Sequence, residues 1–205
     1  MSHRSEGWLA VSLLGALMTL GACDRSSPAP GSCPPAPAAS VAPIDRALLA
    51  FLSKAKAAHH QADLAQDNGD QSGAIAALHG LVEGPRPGGE RPAIEIREVM
   101  ADSRARMAGL LSAKAKHDAA EGQLRRGLAE LPERNLYRGR LMEMLGVVEE
   151  ARYRAFKAAG EHEKATRAKV RAVRAFDAAI AIQDEVIRRL LPPLPTAPEG
   201  RSAPP

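Results

Sequence analysis

The stretch ADLAQDNGDQSGAIAAL, residues 62–78, reads as the end of one helix, a tight turn and the start of another. Ala62 and Ala65 belong to an apolar face that begins at Ile44 and runs through Leu48, Phe51, Leu52, Ala55 and Ala58 at helical spacing. Asn68-Gly69 stops that helix, because glycine just past a helix end takes the left-handed conformation at no steric cost. Asp70 or Ser72 can cap the second helix, which turns Ile75, Leu78, Leu81 and Val82 inward and ends before Pro85.

The same arrangement recurs along the chain. Gly69, Ala115 and Gly160 each precede an alanine by five residues, at Ala74, Ala120 and Ala165, so those alanines stand 46 and 45 residues apart. A small residue early in the second helix of a hairpin lets it cross the first closely. The third helix carries Ile96, Val99, Met100, Met107, Leu110 and Leu111 after a proline- and glycine-rich loop over 84–92. Asp118 and Glu121 have the spacing of a capping box, which predicts a turn near Lys116. Ala120, Leu124, Leu128 and Leu131 line a fourth helix ended by Pro132. Asn135 can cap a fifth, with Leu141, Leu145, Val148 and Phe156 inward, stopped at Gly160. A sixth runs to Leu191 with Ala165, Ala172, Phe176, Ile180 and Ile187 inward, closed by Pro192-Pro193. No run alternates with period two, as a half-buried strand would. The expected fold is all-α: about six helices in three antiparallel hairpins, the C-terminal one long.

Those hairpins resemble tetratricopeptide repeats. Ala62, Gly69, Ala74, Leu78, Leu81 and Pro85 fall close to that pattern, as do Ala108, Leu111, Ala120, Leu124, Gly127 and Pro132. The third hairpin keeps Ala165 and Ala172 but places Lys169 at a normally apolar position, and its helices are longer than the family's. The resemblance implies a stacked solenoid with a protein-binding surface and no catalysis; an irregular helical bundle is the alternative architecture.

Outward from the helices the composition changes. Leu9 to Leu20 carries no charge and follows a short polar segment with Arg4. Twelve residues of helix rise only ~18 Å, short of a ~30 Å hydrocarbon core, so this is the hydrophobic region of a signal peptide rather than an anchor. It ends at Leu20-Gly21-Ala22-Cys23, which resembles the lipobox of bacterial lipoproteins. That resemblance implies cleavage before Cys23, a diacylglyceryl thioether on its sulfur, and attachment to a membrane of the cell envelope with the body on the non-cytoplasmic side. Residues 1–22 are then the signal peptide and 23–43 a lipidated cysteine with a proline-rich disordered tether. Residues 44–191 form the helical domain, and 192–205 a second proline-rich disordered tail. Lipidation of Cys23 leaves Cys33 without a partner in the chain.

No residue set specifies a chemistry, and no enzyme activity is expected. His59, His60 and His79, with Asp63 one turn beyond His59, are the histidines that could converge. His59 and His60 point about 100° apart on a helix, however, and lack a clear third ligand, so they read as rim histidines rather than a metal site. No cofactor is expected. Nucleic acid is not an expected partner either, because aromatics are only 3% of the chain and stacking platforms are absent.

Charge is the remaining signal. Residues 24–95 hold 6 basic and 8 acidic side chains, whereas 96–205 hold 21 and 15. In the sixth helix Lys164, Arg167, Arg171 and Arg174 form one continuous stripe. That stripe is a candidate partner-binding surface for an acidic envelope protein or anionic lipid. Its bland reading is a solvated face paired to Glu143, Glu149 and Glu150 of the fifth helix. The expected role is therefore a protein-binding scaffold. The alternatives are an electrostatic binder of anionic lipid or acidic polymer, and an accessory enzyme with an unrecognised site.

Overall fold

A computed structural model describes residues 45–191; the expected signal peptide, Cys23, the expected tether, Ile44 and the C-terminal segment 192–205 lie outside the described residues. The described chain is six helices: α1 (Arg46–Asp67), α2 (Gln71–Val82), α3 (Ile94–Ala113), α4 (His117–Glu130), α5 (Leu136–Ala158) and α6 (His162–Leu190). They form three hairpins, with no strand among the described residues, as the sequence predicts.

The three hairpin turns are built alike. Gly69, Ala115 and Gly160 have φ of 75°, 56° and 74°. In each turn the next residue's N–H reaches back five residues: Asp70 to the Ala65 carbonyl at 2.8 Å, Lys116 to Leu111 at 2.9 Å, Glu161 to Phe156 at 2.9 Å. This six-to-one bond, closing over a left-handed residue, is the Schellman termination. The alanines five positions on, Ala74, Ala120 and Ala165, are all buried. Ala115 is the one non-glycine in the left-handed region among the described residues. Its Cβ costs about 1 kcal/mol there, more than the helix-end entropy a glycine would lose. Ala115→Gly is expected to raise stability by about 0.5–1 kcal/mol in urea unfolding. A loss of stability would show that this turn does not hold a left-handed residue.

The shared turn geometry also corrects one sequence expectation. Because the turn places the N-cap at Lys116, Asp118 sits inside α4, and no side-chain cap forms there. Asp45, Asp70 and Asn135 do cap α1, α2 and α5, each accepting a backbone N–H. Arg138 closes the other end of α4 by donating to the Leu128 and Leu131 carbonyls at 2.9 and 2.7 Å.

Packing is linear. α1 and α2 touch each other and α3; α3 and α4 touch each other and α5; α6 touches α5 alone. A closed bundle would bring its first and last helices together. Here α1 and α2 meet neither α5 nor α6, so the described helices form an open stack. Two cores result. Phe51, Leu78, Leu81, Ile96, Met100 and Met107 fill the first, and Ala105, Ala108, Leu124, Leu131, Leu141 and Val148 fill the second. α3 serves both.

The last hairpin is held differently. Ala165, Ala168, Ala172, Ala175, Ala179 and Ile182 are the buried residues of α6. They face Gly139 and Gly146 of α5, where an added Cβ would come within 3.2 Å of Gln183 and 2.6 Å of the Phe176 ring. Small residues on both sides bring the two backbones close over a long contact. The expected inward set for α6 is thereby corrected: Ala165 and Ala172 are buried and Phe176 half-buried, but Ile180 and Ile187 are 55% and 52% exposed. A short alanine face suffices against α5, and the bulky aliphatics turn away from it.

Candidate functional site

α4 and α6 both pack on α5 without touching each other, which leaves a groove between them with α5 as its floor. Met142, Leu145 and Ala175 supply the apolar part of a depression of about 250 Å³, and Arg125, Arg171 and Arg174 stand around it. A second depression continues it past Glu121 and Arg152 to Asp118 and Phe156. The groove is thus apolar at its base, with Glu121 and Glu149 on its wall paired to Arg125 and Arg171 and, among the described residues, only Arg174 without a carboxylate, a shape that suits a chain segment carrying an aliphatic side chain beside a carboxylate.

Beneath it lies a charged network. Glu149 is 2% exposed and Arg152 8%. Arg152 donates to Glu149 at 2.6 Å, to Glu121 at 2.6 Å and to Asp118 at 2.5 Å, so one guanidinium joins α4 to α5. Glu149 accepts from Arg171 of α6 at 2.9 Å, which extends the network to the third helix. Burial pushes the Glu121 carboxyl up, but hydrogen bonds from Arg152 and Arg125 outweigh it and hold the group below its ordinary range. For Arg152 burial acts downward, and the bonds and charges of Glu121 and Glu149 reverse that effect, so it stays cationic. The reason these charges are tolerated is that each has several partners.

The four predicted stripe residues therefore have different roles. Lys164 pairs with Glu161 and lies 5.6 Å from the centre of the Phe156 ring; Arg167 pairs with Glu163 at 2.6 Å; Arg171 holds Glu149. Arg174 has no carboxylate within ion-pair distance among the described residues. Of the expected α5 acids only Glu149 engages the stripe, since Glu150 pairs with Arg154 and Glu143 lines a separate depression. Charge reduction comes chiefly from α6 itself and from the turn before it.

Arg152 was missed by sequence reasoning although a signal existed: it continues the inward register of Leu141, Leu145 and Val148. Arg104 does the same after Met100 in α3. It is 3% exposed and donates to Gln123 at 2.7 Å and to Glu130 at 3.0 Å, both on α4. The helix α4 is thus gripped by a buried arginine from each neighbour.

Other candidates resolve into structure. A depression of about 560 Å³ lies against the loop after α2, lined by Arg86, Arg91, Arg97 and Glu130. Arg86 and Arg97 are already paired there, with Glu130 and Glu133, so it is an ion-paired seat for the loop. Among the described residues no three His, Cys, Asp or Glu side chains are grouped to hold a metal ion. His60 and His79 are exposed on separate helices.

Of the three candidate histidines His59 is the one drawn inward, with Nε2 2.9 Å from Ser103 Oγ. Ser103 donates its proton to the Val99 carbonyl at 2.8 Å, so its oxygen accepts from His59 and is not activated for attack. Nδ1 faces Arg106 at 3.4 Å, and that guanidinium is anchored by Asp63. Burial, aided by Arg106 and opposed by Asp102, holds His59 below the ordinary 6.5. A depressed folded-state value means that stability is complete above pH ~6.5 and falls as the unfolded chain takes up the proton first. Unfolding free energy is expected to decline as pH falls below about 6.5, and His59→Gln is expected to flatten that decline. A ring that titrates at or above 6.5 by NMR would contradict the buried placement.

The chain matches no protein-family model, no curated protein and no solved structure. What fold and site define is a class: an open stack of three helical hairpins with a guanidinium-lined groove over its last three helices.

Proposed function

We propose that this is a lipid-anchored protein of the bacterial cell envelope that acts as a non-enzymatic binding scaffold. Its tetratricopeptide-like hairpins hold an envelope protein partner in the groove between α4 and α6. The observation that carries the scaffold reading is the open stack itself. Hairpins each built on the same turn, and touching only their neighbours, spend their residues on surface rather than on an enclosed pocket. The anchor reading rests on Leu20-Gly21-Ala22-Cys23 behind a charge-free segment. Acyl chains, at about 0.8 kcal/mol per buried methylene, would tether the body without a spanning helix. None of the described helices is long and apolar enough to cross a membrane, which is compatible with that tether.

A second reading is favoured by the three arginines around one groove: an electrostatic binder of anionic lipid headgroups or acidic envelope polymer. Salt separates the two. Capture of a partner from solubilised envelopes by the full chain should persist at about 0.5 M salt if the apolar base contributes, and collapse if guanidiniums alone hold the ligand. Met142→Glu should abolish capture under the scaffold reading and leave lipid binding within about twofold, because it adds one charge beside three cations. Capture unaffected by both Met142→Glu and Arg125→Glu would reject the groove. An unmodified Cys23 thiol in the native protein, seen by mass spectrometry, would reject the anchor.

A further inference from the structure

α6 has a second face that nothing in the described chain covers. Val170, Val173, Ile180, Ile187 and Leu191 are all well exposed, with Val173 at 50% and Ile180 at 55%. Their positions fit alternating steps of three and four along 170, 173, 177, 180, 184, 187 and 191, with Asp177 and Asp184 at the two remaining places. That is the seam spacing of a helix that packs lengthwise against another helix. The face is opposite the alanine stripe that binds α5, and α6 touches no other helix. We propose that it pairs, antiparallel, with α6 of a second copy of this chain, about a two-fold axis near residue 179.

Charge selects this occupant and this direction. From His162 to Phe176, α6 carries five cations and one anion; from Asp177 to Leu190 it carries two cations and three anions. A parallel pair would set the cationic half against itself, and Asp177 and Asp184 each against its own copy. An antiparallel pair sets the cationic half of one helix against the acidic half of the other. At the register given, Arg174 comes level with Asp184 of the second copy. Neither has an ion-pair partner among the described residues of its own chain, and the two-fold makes the contact twice. Asp177 comes level with Ala181, whose small side chain leaves the carboxylate open to water. Val170 and Ile187 meet from opposite chains at each end, and Ile180 lies beside the axis. The surface does not involve the anchor, and it shares one residue with the groove, Arg174, which stands at the border between the two faces.

The test is sedimentation equilibrium of the full-length chain over a concentration series, with helix content checked by circular dichroism. A dimer is expected at or below about 100 µM, where an interface of this length should associate. Ile180→Asp should weaken it at least about tenfold, since a carboxylate is introduced into the seam from both copies. Arg174→Asp alone and Asp184→Arg alone should each weaken it about tenfold, and the double exchange should return to within about threefold of the starting value. A monomer at every concentration would overturn the proposal. So would a dimer indifferent to Ile180→Asp, which would point to association through another part of the chain. Single exchanges that are not rescued by the double would overturn the antiparallel register.

Discussion

Arg152→Met is expected to lower the unfolding free energy by about 3–4 kcal/mol, the cost of leaving a buried charge with too few partners. The substituted side chain fills similar space, so cavity formation is a minor part of the loss. What remains is Glu149, 2% exposed and reliant on Arg171 alone, with the tie from α5 to Asp118 and Glu121 gone. Glu121 keeps Arg125, and the Asp118 side chain is fully exposed, so neither of those acids suffers much. The penalty belongs to Glu149. The double substitution Glu149→Met with Arg152→Met should therefore recover to within about 1 kcal/mol of the native chain, because replacing both partners of a buried pair by apolar groups is close to neutral. Arg152→Lys should fall between, as one ammonium cannot reach three carboxylates in fixed directions. Chemical denaturation of the four proteins measures all of this. A loss below about 1 kcal/mol for Arg152→Met would mean that water reaches Glu149 and that the network is a surface feature.

The second large effect is expected from Gly146→Leu. A Cβ at this position would lie 2.6, 2.7 and 2.8 Å from three atoms of the Phe176 ring. The ring is half-buried between α5 and α6 and cannot leave without opening the hairpin or exposing itself. Overpacking of this kind costs about 1–3 kcal/mol, and the gain in helix propensity on replacing glycine returns somewhat less than 1 kcal/mol. A net loss of about 2 kcal/mol is expected, together with a shift of α6 away from α5. Because α6 has no other neighbour, its separation should also widen the groove, so binding there should weaken with stability. Phe176→Ala supplies the room to check the cause. In the double variant the leucine can occupy the vacated space, and a double-mutant cycle should show a coupling of at least about 1 kcal/mol in the favourable direction. Additive losses would place the damage elsewhere than at this contact.

These two residues also show where sequence reading reached its end. The turns were legible because they are local. A left-handed residue followed five positions later by a small one is a pattern of chain conformation, and Gly69, Ala115 and Gly160 adopt the geometry that the spacing implies. Helix number, the inward faces of α1 to α5 and the long last hairpin followed from the same kind of local signal. The inward face of α6 did not. Ile180 and Ile187 outrank alanine on any hydrophobic scale, yet α5 presents glycines at Gly139 and Gly146, and only a short-chain face can approach a backbone that closely.

The groove shows the same division. The stripe from Lys164 to Arg174 was visible as a helical spacing, but its charges are met from α6, the preceding turn and one acid of α5, a distribution that depends on how the helices cross. Asp118 and Glu121 had the spacing of a cap; the turn shifted the helix start and freed both carboxylates for Arg152, 34 and 31 residues away in sequence.

By itself, then, the order of residues determined the all-helical class, the three turns and which helices pair as hairpins, since these follow from backbone preferences and periodicities acting over a few residues. Only the tertiary structure decided that the stack stays open, that two arginines are buried, and that one face of α6 is left bare. Those outcomes depend on the distance between helix axes, and that distance is set jointly by side chains from two segments far apart in the chain.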